Sequence, residues 1–381
     1  MAQSETIVRT RARIGIDTRL LSYREGGIAE YMRRLTEALP VLDADNQYTI
    51  FEGRHPPQNT IQIHGAANFT KARLQTPPHH RLEPFALGAE LLPRRLDLLH
   101  SPDFIPPRFG ARKFVVTVHD LNFLYYPQFQ TAESQRYYAG QIGRAVRQAA
   151  HILADSEATK QDLVEKLAVA PDKVTVHMLG VNPIYRLLPE AAIEAVLRKH
   201  ALPRGCILHV GTFEPRKNLA GLFDAYALLR ARYPDTPPLL AVGYRGWLYE
   251  PIFAKAAALG PQVIIREAFP AADLPALYNA ASVLVLPSFY EGFGFPALEA
   301  MACGTPTVVS DRSSLPEVVG AVGLRIDPDR PESIADALYL ALTDSDKRAK
   351  WRRDGLARAA TFTWQRTAQI ALEVYRKVLN S

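Results

Sequence analysis

Twice along this chain, short apolar runs rich in β-branched residues alternate with helix-length segments, and this double alternation constrains the fold more than any other feature. RIGID (13–17), YTIF (48–51), LDLLH (96–100), FVVTV (114–118), HILAD (151–155) and VTVHM (174–178) read as buried strands, with helical stretches such as GIAEYMRRLTEAL (27–39) and 133–149 between them. After VNPIYRLLPEAAIEAVLRKHALP the pattern restarts with CILHVG (206–211), LLAVG (239–243), VIIRE (263–267), VLVLP (283–287) and TVVS (307–310). Strands that alternate with helices form mostly parallel sheets covered on both faces. The expectation is α/β, with two open sheets and a linker near 181–204. A length of 381 residues agrees, since one core rarely serves more than roughly 250–300. Open α/β sheets bind ligands beyond the carboxyl ends of their strands, so two facing sheets would share one cleft. A long amphipathic stretch, KRAKWRRDGLARAATFTWQRTAQIALEVYRKVL, closes the chain.

Composition removes several function classes. The only cysteines, Cys206 and Cys303, lie about a hundred residues apart, which leaves neither a disulfide framework nor a cysteine zinc site. The opening MAQSETIVRTRAR is polar and basic, and no apolar run approaches the ~20 residues of a bilayer span, so the cytoplasm is the expected compartment. An excess of 45 basic over 39 acidic residues suits an anionic ligand or an anionic membrane surface. No zinc, helix-turn-helix or RNA-binding signature accompanies it, so no nucleic-acid partner is expected.

The richest local segment is SFYEGFGFPALEAMACGTPTVV (288–309), directly after the strand VLVLP. Gly292 and Gly294 permit a tight turn, and Pro296 fits the first turn of a helix whose bare amides would face an anionic or hydroxyl-rich ligand. If 291–299 were wholly helical, Glu291 and Glu299 would stand roughly 12 Å apart, too far for a hydrolytic carboxylate pair at ~5–9.5 Å. Two separate tasks are the better reading. In LHVGTFEPRKNLAGL, Gly211 lets a ligand approach the strand end, while Arg216 and Lys217 precede a helix starting near Asn218 and form a candidate diphosphate clamp. FVVTVHDLNF places His119 and Asp120 at the end of a buried strand. There the histidine could act through its ring or its carbonyl, and the aspartate could orient an incoming hydroxyl. Gly26 and Gly27 offer a second close-approach loop. Neither a GxxxxGK(S/T) phosphate loop nor a complete GxGxxG is present, and the Asp-x-Asp pairs at 43–45, 327–329 and 344–346 sit in turn-like stretches, so no metal site is expected.

Taken together, the early glycine loop, TVHDL, ADSEATKQDLV, GTFEPRKNL, the Glu-x7-Glu segment and FTWQRTA resemble the family-4 retaining glycosyltransferases of the GT-B fold, in wording closest to mannosyltransferase-like members. The resemblance implies two Rossmann-like domains facing a central cleft. An acceptor domain would cover 1–190, a nucleotide-sugar donor domain 191–360, and a C-terminal segment, 361–381, would pack back on the first. By position, Glu299 would bind the ribose, and Glu291 with the amides around Phe293, Gly294 and Phe295 would hold the hexose. Arg216 and Lys217 would bind the diphosphate, with Gly27 near it, His119 beside the transferring sugar and Asp120 on the acceptor side. Where some relatives carry a further arginine this chain has Thr212, which places more weight on Arg216 and Lys217. GDP-mannose is the implied donor, with a UDP-hexose as runner-up and no metal or other cofactor. The implied acceptor is a glycan or lipid-linked glycan at the inner face of the membrane, which Lys71, Arg73, Arg81, Tyr125 and Tyr126 would help to meet. A non-catalytic sugar-nucleotide binding protein of the same fold is the alternative.

Overall fold

The computed structural model describes residues 11–22, 26–55, 61–63, 65–129 and 132–381, without the side chains of 132–134 and 136. Among these, the first sheet contains β1 (Arg13–Asp17), β2 (Gln47–Glu52), β3 (Phe69–Arg73), β4 (Leu96–Ser101), β5 (Ala111–Val118), β6 (His151–Ala154) and β7 (Val174–Val176). The second contains β8 (Ile207–Val210), β9 (Leu239–Gly243), β10 (Val263–Glu267), β11 (Val283–Leu286), β12 (Thr307–Ser310) and β13 (Leu324–Ile326). Every pairing is parallel, in the orders β3-β2-β1-β4-β5-β6-β7 and β10-β9-β8-β11-β12-β13. Helices cover both faces, which is why Ile14, Ile16, Leu98, Val115, Leu240 and Val285 are wholly buried and the central strands read as unbroken apolar runs.

Each order reverses once, between β1 and β4 and between β8 and β11. A crevice opens where neighbouring strands send their connections to opposite faces, and ligands settle there. The loop after β8 and the loop after β11 flank that point in the second sheet, and they carry the Arg-Lys pair and the glycine-rich turn.

Two strands are invisible to apolar patterning. β3 reads FTKAR and pairs only with β2 at the sheet edge, where four of its five residues escape full burial, and β13 is three residues long. The expected linker is also half structured. Helix Glu190–His200 lies inside 181–204 and buries Ile193 and Leu197 in the core that holds the helix Leu274–Ala280 residues Leu277 and Tyr278. The closing amphipathic stretch is two helices, Ser345–Ala359 and Trp364–Asn380, the second begun by a Thr363 hydroxyl that accepts from the Arg366 amide.

Helix Trp364–Asn380 crosses to the first sheet and packs along helix Gly27–Leu42. The Tyr375 hydroxyl lies 2.6 Å from His100 Nδ1 on β4, and the Thr367 hydroxyl donates to the Met178 carbonyl. The two chain crossings touch, since a Cβ on Gly180 would sit 2.4 Å from the Trp364 nitrogen. Among the described residues no helix is long and apolar enough to cross a membrane.

Candidate active site

After β11 the chain turns through Pro287–Gly294 into helix Phe295–Ala302, with Pro296 in the first turn. Gly294 caps that helix at φ +106°, a conformation that an L side chain resists. Gly292 serves close approach instead: a Cβ there would lie 2.2 Å from the His119 carbonyl oxygen, so only glycine lets this loop touch the first domain. The Ser314 hydroxyl holds the loop through the carbonyls of Glu291 and Phe293, and Ser313 contacts Glu291 as well.

The loop after β8 forms a short 3-10 turn, Pro215–Lys217, and Asn218 then caps helix Leu219–Arg232 by accepting from the Gly221 amide. This turn aims both cations at the other loop. Lys217 Nζ donates to Glu291 Oε1 and Oε2 at 2.7 and 2.8 Å. Arg216 donates to Glu291 Oε2 at 3.2 Å, to the Tyr290 carbonyl at 2.6 Å and to Glu214 Oε1 at 2.6 Å. Burial alone would push the Glu291 carboxyl up, but Lys217 and Arg216, with a hydrogen bond from Ser288, hold it down at about 2. The two cations thus face two buried carboxylates, and a diphosphate would have to share them with Glu291.

Glu299 sits in the opposite environment. Burial raises its carboxyl to about 7, although hydrogen bonds from the hydroxyls of Tyr278, at 2.7 Å, and Tyr185 pull the other way. Two glutamates eight positions apart therefore differ widely in proton affinity, which fits two separate tasks.

His119 differs from the open reading of its ring. Nδ1 lies 2.7 Å from buried Asp155 and Nε2 lies 2.7 Å from the Pro102 carbonyl, so both ring nitrogens are engaged within the first domain. Burial lowers this imidazole's proton affinity, but Asp155 outweighs it and the ring is raised to about 9. A charged ring donating at both ends leaves neither ring nitrogen free for a ligand, and the carbonyl, packed against Gly292, accepts from the Thr159 hydroxyl at 3.3 Å. Asp120 accepts from the Asn122 amide at 3.1 Å and from its side chain.

Gly27, His119, Asp120, Gly211, Arg216, Lys217, Glu291, Phe293, Gly294, Phe295 and Glu299 all line one cavity of about 610 Å³ between the two sheets. The sequence reading missed Glu30, Arg33, Asn182 and Tyr185 on the same wall, where Glu30 accepts from Asn182 at 2.7 Å and from Arg33 at 3.2 Å. Arg33 and Glu30 lie one turn apart on helix Gly27–Leu42, and that pairing was the available signal; Tyr185 and Tyr278 read as ordinary core aromatics. A larger cavity, about 900 Å³, lies at the amino ends of the second sheet's strands, away from all these groups. The Asp-x-Asp pairs have other partners: Asp43 accepts from Asn46 and Tyr48, Asp327 and Asp329 pair with Arg312, and Asp344 caps helix Ser345–Ala359. Among the described residues no group of three or more His, Cys, Asp or Glu could hold a metal ion.

The segment 154–164 joins the domains. Ser156 caps helix Glu157–Leu167 and donates to the Gly292 carbonyl at 2.9 Å, while the amides of Glu157 and Ala158 donate to Glu317 of the second domain at 2.8 and 2.7 Å. Asp162 accepts from both Tyr125 and Tyr290. Of the residues expected on the acceptor side, Tyr125 stacks on Tyr290 and Tyr126 donates to the Phe289 carbonyl, so both belong to this seam, and Lys71 pairs with Glu52.

Comparison with known proteins gives this geometry its context. The family model for glycosyl transferases group 1 matches residues 196–358, and that for glycosyltransferase family 4 matches 25–184. The O-antigen chain mannosyltransferase B of Escherichia coli is 31% identical over 379 residues, covering 94% of this chain and 98% of that protein. The chain belongs to glycosyltransferase family 4. The serotype-specific mannosyltransferase WbdA of Escherichia coli is 33% identical over 74% of the chain, which spans only 36% of that longer relative. Among solved structures, WaaG, a glycosyltransferase of lipopolysaccharide biosynthesis, matches at TM-score 0.75 and 16% identity, over 95% of this chain and 99% of WaaG. Anabaena Alr3699/HepE in complex with UDP and glucose matches at TM-score 0.75 and 18% identity, over 96% of this chain and 100% of the other. This family 4 glycosyltransferase therefore has the GT-B fold, two facing Rossmann-like domains.

Proposed function

We propose that this glycosyltransferase moves a mannosyl group from GDP-mannose to a growing, lipid-linked glycan in surface polysaccharide synthesis, with retention at the anomeric carbon and no metal, at the inner face of the cytoplasmic membrane. The observation that carries the reading is the convergence in one cavity of a paired-cation turn, a cation-bound glutamate and a tyrosine-held glutamate. The O-antigen mannosyltransferase name of a relative matched along its length supports the sugar and the acceptor class. A UDP-hexose is the competing donor, because HepE was solved with UDP and glucose.

In this scheme Glu299 accepts the ribose hydroxyls, and the wall formed by Val242, Gly243, Tyr244 and Phe269 receives the base. Lys217 and Arg216 face the diphosphate, and Glu291 with the amides around Gly294 holds the hexose. The bond from the anomeric carbon to the diphosphate oxygen breaks as the acceptor oxygen bonds to the same face. The acceptor proton passes to the leaving phosphate oxygen, so no protein nucleophile is required. Charge grows on the diphosphate during the step, and fixed cations in a water-poor cleft are worth most at that moment. Asp120 orients the acceptor hydroxyl.

The test is transfer from GDP-mannose, UDP-glucose and ADP-glucose to a lipid-linked oligosaccharide in excess EDTA, with the product anomer read by NMR. Retained configuration and undiminished transfer of mannose are expected. An inverted product, transfer from another donor alone, or activity abolished by the chelator and restored by manganese would each overturn the corresponding part. Donor binding without turnover would return the binding-protein alternative.

A further inference from the structure

Four neighbouring strands of the first sheet end on one polar row. Pro102, His119, Asp155 and His177 are the first residues after β4, β5, β6 and β7, which lie side by side in that order. Val118 pairs with Ala154 and Ala154 with Val176, so His119, Asp155 and His177 follow in register on one face of the sheet. Ligands of open α/β sheets settle beyond this edge, and His119 and Asp155 do border the central cavity, yet these side chains meet one another.

The His119 ring spans three of the four strand ends, with Nε2 2.7 Å from the Pro102 carbonyl and Nδ1 2.7 Å from Asp155 Oδ2. The other Asp155 oxygen stands 3.4 Å from His177 Nε2. Tyr31, wholly buried, sets its ring edge-to-face against both imidazoles, with centroids 5.0 and 5.4 Å apart. The backbone of the same residues reaches the second domain. The His119 carbonyl packs against Gly292, and Ser156, next to Asp155, donates to the Gly292 carbonyl at 2.9 Å. Gly292 directly follows Glu291, so whatever seats this turn also places that carboxylate.

We propose that Asp155 is a positioning residue for glycosyl transfer: through the His119 ring it fixes the strand-end carbonyl on which the Gly292 turn seats, and so sets Glu291 against the first domain. An ionised carboxylate and a carbonyl only accept, so the ring has to donate at both nitrogens, which an imidazolium does and a neutral imidazole does not. The titratable groups around the ring are Tyr31, His100 and His177 inside the domain, and Asp103 and Asp120 at the strand ends. Asp103 faces His79 at 3.2 Å and Asp120 accepts from Asn122, while Glu291, across the seam, is paired with Lys217 and Arg216. Among the described residues Asp155 is thus the one carboxylate in hydrogen-bond contact with the ring. The inference deepens the transferase reading of the cleft, and a spectroscopic measurement without substrates tests it separately.

The experiment is histidine-selective NMR of the full chain and of Asp155→Asn, beside steady-state transfer from GDP-mannose by both proteins at about pH 6 and about pH 8. In the parent one imidazole, assigned by its loss in His119→Gln, is doubly protonated at the higher pH. In Asp155→Asn the same ring is neutral there, because burial then decides its proton affinity. At the higher pH kcat falls by about ten- to a hundredfold, while the donor KM, set chiefly by contacts within the second domain, stays near that of the parent. The deficit shrinks at the lower pH, where the ring regains its proton. Glu299 titrates in both proteins alike, so the ratio of the two kcat values isolates His119. Asp155→Glu, which returns a carboxylate, recovers part of the rate at the higher pH. A neutral His119 in the parent, parent-like kcat in Asp155→Asn, or a deficit equal at both pH values would overturn the proposal, and the first of these requires no variant to fold. A doubly protonated His119 without transfer from GDP-mannose supports the strand-end clasp while refuting the donor assignment.

Discussion

Replacing Glu299 with glutamine separates the cost of burying a carboxylate from its use in binding. The Glu299 carboxyl rises from its ordinary 4.5 to about 7, chiefly through burial. The folded state therefore keeps a proton that the unfolded chain releases between those two values, so stability falls as pH climbs from 4.5 to 7 and stays low above it. A rise from 4.5 to about 7 corresponds to roughly 3 kcal/mol, and the half-buried side chain's contact with the cleft reduces the expected figure to about 2 kcal/mol. Glutamine keeps the oxygen that accepts from Tyr278 but carries no charge. The variant should thus exceed the parent by about 2 kcal/mol at pH 8 and match it near pH 4.5. Under the proposed ribose role, losing this charged acceptor should weaken nucleotide-sugar affinity by about 1.5–3 kcal/mol, or roughly ten- to a hundredfold. Urea unfolding of both proteins at the two pH values, beside calorimetric titration with GDP-mannose at pH 8, decides the matter. A variant that is less stable at pH 8, or a stability difference that ignores pH, would refute the reasoning.

Glu291→Ala should lower kcat more than it raises the donor KM, because contacts to the transferring hexose strengthen as charge develops; a pure KM effect would remove that role. Lys217→Ala should cost about 2.7–4 kcal/mol in transfer, roughly 10²–10³ in rate, with near-normal rates as the contrary result. Arg216→Ala should also lose about 3–5 kcal/mol of fold stability in urea, since it strips a partner from buried Glu214 as well as Glu291, so the two cations are not equally safe to remove. Glu317→Ala should free the amides of Glu157 and Ala158, shift the protein toward an open form and enlarge its radius of gyration in solution scattering; superimposable scattering curves would argue against that latch.

The buried strands were legible because parallel strands covered on both faces must be apolar throughout, as β9 and β11 are. β3 escaped notice because an edge strand needs only one buried residue, and the helix within 190–200 was hidden by an expectation of linker at a domain boundary. At the site, residue types and spacing located the groups but not their mutual pairing. Nothing local in PRK or in YEG tells that Lys217 and Glu291 meet at 2.7 Å, because their contact depends on two loops brought side by side at the strand-order reversal. The engagement of both His119 nitrogens was equally out of reach, since Pro102 and Asp155 lie 17 and 36 residues away along the chain.

Helix Trp364–Asn380 has a consequence for the order in which the protein is made. Tyr31, Met32 and Leu35 on helix Gly27–Leu42 share a core with Trp364, Leu372 and Tyr375, so the first domain is completed by residues synthesised only after the whole second sheet. A ribosome adding about 5–20 residues per second leaves that apolar groove uncovered for some tens of seconds after the helix facing it has emerged. The nascent first half is therefore a natural client for chaperones. A chain that stops before helix Trp364–Asn380 should aggregate with its second sheet intact.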